Sequence, residues 1–499
     1  RIQAWGHIVP LPLIEVSHLL ASVAGVCLLL LGRGLQRRLD IAWLITCIAL
    51  VAGIVFSVFK ALDYEEAIIL AVFLLALLPS RRHFYREGAL LNEELSAGWI
   101  GAIALVIGAS VWLGLFAYKH IEYSSDLWWR FALDRDAPRF LRASLSVVVV
   151  ALVFGAARLL KPVGPDPKLP SPDELKAAEA IVTAFPKSYA FLALVGDKQL
   201  LFNQKRTGFV MYGVEKNSFV SMGDPVASDA DRKELVWQFR ELADRHGGWT
   251  VFYQVDAAQL PLYVDLGLAL FKLGEEAVVP LQGFSLEGSA RKGLRGVQRK
   301  FEREQCTFEL VPREGVPPLL DELQRVSDAW LSQKNTREKG FSLGRFERAY
   351  LSTTPIAVVR KAGQLVAFAN VWSGTSREEL SIDLMRYHPD APRGVMDYLF
   401  IELMLYGARE GFRGFNLGMA PLSGVEPHAL GPLWNRIGAL VYRHGEHFYN
   451  FTGLRSYKDK FGPKWEPRYL ACPGGLVLPQ VLANVAALVS GGLRGVVSR

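Results

Sequence analysis

The sequence predicts a membrane bundle of about five helical spans, followed by an α+β unit made of two similarly ordered halves. Three observations carry that prediction. Ile41–Phe59 and Ala97–Tyr118 hold no charged residue over 19 and 22 positions, about the length that crosses a hydrocarbon core as a helix. Five prolines from Pro162 to Pro172 then interrupt the chain. Beyond them, strand and helix patterns recur twice in the same order.

At 499 residues the chain exceeds a single hydrophobic core, so two or three folding units are expected. The net charge of +7 permits contact with phosphates or anionic lipid without specifying either. Cys27, Cys47, Cys306 and Cys472 form no paired framework, which suits a reducing compartment for the second part. The first residue is Arg rather than Met, and no secretory leader precedes the first span, so a missing upstream portion is expected.

Residues 1–160 read as transmembrane. The five spans fall near 13–31, 41–59, 64–79, 97–118 and 140–160. Glu15, His18, Arg142 and Arg158 sit near span ends, where long charged side chains reach the interface. The counts of Lys and Arg in the loops are nearly balanced. The short loop holding Arg33, Arg37 and Arg38, with Trp128, Trp129 and Phe131 on the opposite side, favours a second part that faces the cytoplasm.

Residues 161–172 form the linker. Ser171-Pro172-Asp173-Glu174 opens a helix: Ser171 suits the N-cap, Pro172 the first helical position and Glu174 the capping box. Strands are expected near 189–195, 199–203, 208–214 and 218–222, a helix at 229–246 and a strand at Thr250–Val255. A helix and strand then reach Leu281. In the second half a helix near 317–332 precedes strands near 355–360, 364–373 and 378–387. The helix Gly394–Glu410, the strand Gly414–Leu417 and a strand near 467–472 follow. The domains expected are 173–285 and 286–475. The stretch 476–499 is apolar and interrupted by glycines, which suits a surface-lying helix at the membrane.

Several runs can carry chemistry. Arg291, Arg295, Arg299 and Arg303 recur every four residues with Lys292 and Lys300 beside them, one positive helix face for phosphates or simply a solvated face. Asp383 lies in an apolar strand, where a carboxylate is costly unless paired. It and Arg386 point to opposite faces unless a bulge intervenes. Asn416–Gly424 is a turn-rich loop after a strand, suited to lining a site. His444-Gly-Glu446-His447 matches no metal-ligand spacing, so no metal and no cofactor are expected. Between Tyr449 and Trp465, Arg455, Tyr457 and Lys458 mix cations with aromatics, as a phosphate or nucleotide end would require.

These runs also carry a resemblance. DLMR at 383–386, GMAPLSG at 418–424, FVSMGDP at 219–225 and the run from Arg443 to Ala471 resemble the phosphatidylglycerol lysyltransferases, the multiple peptide resistance factors of bacteria. The resemblance implies two tandem acetyltransferase-like (GNAT) folds in a multi-pass protein of the bacterial cytoplasmic membrane. It implies transfer of an aminoacyl group, lysyl before alanyl, from aminoacyl-tRNA to phosphatidylglycerol, without metal or acetyl-CoA. The product is a cationic lipid that protects against cationic peptides. Asp383, Arg386 and Lys458 are the implied catalytic residues. Arg455, Glu446, Asn416, Ser423 and Tyr457 would bind substrate, and Arg291, Arg295, Arg299 and Lys300 the tRNA. Family members usually carry an upstream flippase module, and association with a second copy is possible. An acetyl-CoA enzyme is the rival, but Asp390–Met396 lacks the second glycine of that phosphate loop. A wall-peptide aminoacyl transferase and a non-catalytic membrane-tethered binding protein are the others.

Overall fold

The computed structural model describes residues 38–59, 64–86, 168–334, 338–425 and 451–490, together with 28, 31, 32 and 34–36. It divides into two units, residues 1–165 with 244–247, and 166–243 with 248–499.

The first unit contains helices α1 (Asp40–Phe59) and α2 (Tyr64–Leu77). The Trp43 indole donates to the Leu77 carbonyl at 3.0 Å, and Leu39, Ile41 and Ala42 are buried. Ile48, Val51, Ile68, Ile69, Val72, Phe73 and Leu75 are exposed. Among the described residues no helix is long and apolar enough to cross a membrane. The spans expected at 97–118 and 140–160, and nearly all of 13–31, lie outside the described residues.

The second unit opens with α3 (Pro172–Ala184), whose capping box forms as expected: the Glu174 amide donates to Ser171 Oγ and the Ser171 amide to Glu174 Oε2. The next segment, Ser188–Val195, is a 3-10 helix where a strand was expected. Its run SYAFLALV has no period-two alternation, and all but Tyr189 are buried. Such a run suits burial on every side, and periodicity cannot assign it.

The first half continues with β1 (Gln199–Phe202), β2 (Phe209–Glu215), β3 (Ser218–Met222), α4 (Asp229–Arg245), β4 (Trp249–Asp256), α5 (Leu260–Asp265) and β5 (Ala269–Pro280). The second half comprises α6 (Lys292–Arg303), β6 (Cys306–Val311), α7 (Leu320–Lys334), α8 (Arg348–Leu351), β7 (Ile356–Lys361), β8 (Gln364–Ser373), β9 (Glu379–Tyr387), α9 (Val395–Arg409), β10 (Gly414–Pro421), α10 (Phe451–Asp459) and β11 (Lys464–Cys472). Helix α11 (Leu478–Val489) is the last of the described elements. Strand β6 was not expected; its alternating exposure is that of a sheet edge.

The eleven strands among the described residues form one sheet in the order β1-β2-β3-β4-β11-β5-β10-β9-β8-β7-β6. Each half holds an antiparallel meander and one parallel pair, β3 with β4 and β9 with β10. The halves exchange their last strands. β11 pairs with β4 and β5 of the first half, and β5 pairs with β10 of the second. One sheet thus joins strands from both sides of residue 285. The repeated element order expected from the sequence is present in the two halves.

The core forms on both sheet faces. Val210, Phe219 and Phe252 pack with Leu235 and Phe239 of α4. Phe415, Leu380 and Val359 pack with Leu399 and Leu403 of α9. The C-terminal apolar stretch spends one face on this fold. Val481 and Val485 join the first half's core, and Asn484 donates to Ser218 Oγ at 2.9 Å. Leu476 beside it is fully exposed.

Candidate functional site

The second half's parallel pair is short. β9 and β10 keep register only over Glu379/Gly414, Leu380/Phe415 and Ser381/Asn416, and then both strands bulge. On β10, Leu417 and Gly418 oppose one residue of β5. Gly418 takes φ +80°, a conformation glycine adopts without a Cβ penalty. The Asn416 side chain accepts from the Gly418 amide at 2.7 Å, and Ser381 Oγ donates to the Asn416 carbonyl at 2.9 Å. Asn416, expected to touch substrate, thus uses its amide oxygen to hold the bulge.

Lys458 of α10 completes this arrangement. Its Nζ donates to the Gly418 and Met419 carbonyls at 2.9 and 3.0 Å, and the residue is 6% exposed. Burial pulls its ammonium down to about 8, against the opposing charge of Glu276. A buried ammonium needs acceptors of this kind, and the two bulge carbonyls supply them.

On β9 the bulge sets two residues against Asn370. Asp383 lies in that bulge, and the nearby charge of Arg386 acts on it, although each side chain bonds elsewhere. Asp383 is half-buried: its carboxylate accepts from the Gly344 amide and the Tyr350 hydroxyl, both at 2.8 Å. Asn370 and Trp372 donate in turn to the Tyr350 oxygen at 3.0 and 2.9 Å. Burial raises the Asp383 carboxyl above its usual range, and these donors with Lys198 and Arg386 work against that rise. Arg386 pairs with Glu338 at 2.9 Å and lies 4.2 Å from the Trp330 ring centroid.

Arg455 and Ser423 meet on Glu275 of β5. Arg455 Nη1 lies 2.5 Å from Glu275 Oε2, and Ser423 Oγ donates to the same oxygen at 3.0 Å. Glu275 Oε1 accepts from Lys272 at 2.8 Å. The Arg455 guanidinium stacks 4.3 Å from the Trp465 ring centroid. Tyr457 sits instead in an aromatic group with Phe400 and Phe461, with the Lys460 ammonium 3.8 Å from its ring centroid.

A buried ion network occupies the exchanged strands. Arg468 is held by Asp256 at 2.8 Å and by Glu276, with Glu466 at 3.7 Å. Glu379 accepts from the Ser188 amide at 2.9 Å and hydroxyl at 2.5 Å, with Lys187 at 3.8 Å. Burial pushes the Glu379 carboxyl up, and the charge of Glu276 adds to it.

The basic run forms helix α6, but much of it is committed locally. Arg291 donates to the Phe461 carbonyl at 2.7 Å, Arg295 to Leu286 and Gly288, and Lys300 to the Arg393 carbonyl at 2.7 Å. Arg299 is exposed and lines, with Arg295, Glu287 and Glu302, a groove of about 420 Å³. Glu446 and both histidines of the 444–447 run lie outside the described residues.

Sequence reasoning missed Tyr350, Glu275, Glu276, Lys272 and Arg468. A signal was present: FKLGEEAVVP and KWEPRYLAC place charges inside strands, where each needs a partner.

Residues 180–472 match the family model described as phosphatidylglycerol lysyltransferase, C-terminal. The chain belongs to this family. A phosphatidylglycerol lysyltransferase of Bacillus subtilis is 32% identical over 485 residues, covering 94% of this chain and 55% of that protein. One from Staphylococcus epidermidis is 31% identical over 461 residues, covering 90% and 53%. The chain thus spans about half the length of these curated relatives. Among solved structures, the C-terminal domain of a putative lysylphosphatidylglycerol synthetase from Agrobacterium fabrum is 44% identical, with a TM-score of 0.59. The L-PGS of Bacillus licheniformis is 36% identical, with a TM-score of 0.57. Each covers 65% of this chain and 99% of its own.

Proposed function

We propose that this chain transfers an aminoacyl group, lysyl first, from aminoacyl-tRNA to the glycerol hydroxyl of phosphatidylglycerol. The observation that carries the reading is Lys458, a buried ammonium fixed on the bulge carbonyls of β10 where β9 and β10 part. Transesterification needs an activated ester held against an alcohol and a cation for the carbonyl oxygen as it gains charge. Lys458 supplies that cation. Asp383, through Tyr350 and Gly344, fixes the shape of the β9 bulge, and Arg386 stands beside it. Arg455 holds a phosphate oxygen, and Arg299 with its neighbours on α6 receives the tRNA backbone. Asn416 and Ser423 set the loop between them.

The lipid substrate places the enzyme in the bacterial cytoplasmic membrane. The apolar residues exposed on α1 and α2 support a helical bundle of about five spans in residues 1–160, with the catalytic part in the cytoplasm.

The test incubates purified chain with phosphatidylglycerol vesicles and separately labelled lysyl- and alanyl-tRNA, then extracts the lipid. Label in the lipid fraction from lysyl-tRNA, lost in Lys458→Ala, is the expected result. Label in neither arm, or full transfer by folded Lys458→Ala, refutes the reading.

A further inference from the structure

We propose that Asp197, held by Lys198, is a positioning residue: it ties down the strap 338–346, and the strap sets the Asp383 carboxylate and the Arg386 guanidinium. This rests on the function proposed above, in which Asp383 shapes the β9 bulge and Arg386 stands beside it.

The strap lies between α7 and α8 and touches both of those side chains. Glu338 receives Arg386 at 2.9 Å, and its other oxygen accepts from the Phe346 amide at 3.4 Å. The Gly344 amide donates to Asp383 Oδ1 at 2.8 Å. Gly344 packs so closely on this carboxylate that a Cβ there would overlap Asp383 Oδ2. A shift of the strap therefore changes the hydrogen bonds of both charged groups.

Asp197 pins the strap from the first half of the chain. It lies in the link between the 3-10 helix Ser188–Val195 and β1. Its Oδ2 accepts from the Phe341 amide at 3.0 Å, and its Oδ1 takes Lys198 at 2.5 Å. The Lys198 side chain is fully buried, and its Nζ also donates to the Leu192 carbonyl at 3.0 Å. Burial lowers this ammonium from its usual range, and the charges of Asp197 and Asp383 oppose that. Lys198 thus fixes one oxygen of Asp197 and leaves the other aimed at the strap.

The backbone of Phe341 shows that the strap is held under constraint. Its φ is +61°, a left-handed conformation that a bulky residue rarely adopts. Such a conformation persists where the surroundings over-determine it, and here two contacts do so. The Phe341 ring is buried in the first half's core, against Gly213, where a Cβ would come within 3.1 Å of it. The amide is on Asp197. The strained residue and the Gly344 contact with Asp383 are three positions apart, so the first half's grip is felt at β9.

The experiment compares two double variants of the full chain, Asp197→Asn/Lys198→Met and Asp197→Ala/Lys198→Met. Both remove the buried charge pair, and only the first keeps an oxygen for the Phe341 amide. Transfer is measured against phosphatidylglycerol and aminoacyl-tRNA concentrations, and the strap amides are followed by hydrogen-exchange mass spectrometry. The alanine pair should lose kcat by about ten-fold with both KM values within about two-fold, as expected when reacting groups are misplaced and substrate binding is kept. Residues 338–346 should exchange about ten-fold faster in it, with β8 and β9 unchanged. The asparagine pair should restore most of the kcat and of the protection. If the two pairs behave alike, or if activity falls only in proportion to folded protein, Asp197 is a structural ion-pair member and the proposal fails. Should the alanine pair not fold, Gly340→Ala takes its place, because it brings a methyl to 3.3 Å from Asp197 Oδ2. A lower kcat with faster strap exchange is expected there too, and an unchanged kcat overturns the proposal. An unaltered chain without transfer would instead refute the function proposed above. The exchange comparison then decides alone: a faster strap in the alanine pair than in the asparagine pair supports the role of Asp197, and equal rates overturn it.

Discussion

Replacing Lys458 by Met tests whether the ammonium on the β10 bulge is held charged against its surroundings. Burial lowers this group from 10.5 to about 8. At pH 7 the folded state thus holds a proton less readily than the unfolded chain does. A displacement of that size is worth roughly 3 kcal/mol. The sign follows from proton counts. Between about pH 8 and 10.5 the unfolded lysine carries more proton than the folded one, so stability from this group rises with pH in that window. Lys458→Met removes the group from both states, and with it the slope. Its absolute effect at pH 7 mixes relief of a buried charge with two orphaned carbonyls, Gly418 and Met419, each costing about 1–3 kcal/mol, so a single pH does not test the reasoning. The difference between the two proteins does. Denaturant unfolding followed by tryptophan fluorescence at pH 7, 8, 9 and 10 should show the unaltered chain gaining roughly 2–3 kcal/mol relative to Lys458→Met across the series. Parallel curves would refute the burial argument. The same titration governs catalysis: if the ammonium stabilises the carbonyl oxygen, kcat falls as pH rises through about 8.

Other expectations are independent of that one. Asp224 is nearly enclosed, and burial raises its carboxyl from 3.8 to about 6 against hydrogen bonds from Tyr263 and the Asp256 amide. Its contribution is present at low pH and is lost as pH rises between about 4 and 6; Asp224→Asn should remove a loss of roughly 3 kcal/mol in denaturant titrations over that range. Arg468→Met strands Glu276 and Asp256 without their shared cation and should cost about 3–5 kcal/mol in the same assay. Gly424→Ala meets both a left-handed backbone and the Glu275 carboxylate. It should lower the thermal midpoint by several degrees, as about 1–3 kcal/mol of backbone strain does, and an unchanged midpoint would show that the loop yields.

Much of the fold was legible because it rests on local signals. The capping box at Ser171 and the β-branched and aromatic residues of 208–214 and 364–373 fix their elements within a few residues. Ser188–Val195 was not legible, since a run buried on all sides has no period to read. The exchange of β5 and β11 was also invisible. Pairing partners depend on sheet order, and chain order says nothing of it. At the site, Asp383, Lys458 and Arg455 stood out as charges in apolar or aromatic settings. Tyr457 stood out for the same reason, yet its ring belongs to the aromatic group around Phe400 and Phe461. The setting of Asp383 hangs on a one-residue bulge opposite Asn370, which no pattern of residue types announces. Glu275 and Glu276 were passed over as adjacent acids on a strand, although they turn to different partners, Arg455 and Arg468.

The interleaving of β11 between β4 and β5 sets an order of events for a growing chain. Until residue 472 has left the ribosome, the strands at 249–256 and 269–280 each keep one flank of amide and carbonyl groups without a neighbour. Bare flanks of that kind recruit other chains, and contacts between segments about 200 residues apart form slowly. Truncation anywhere before Lys464 should therefore yield a sticky product, and not a smaller working enzyme.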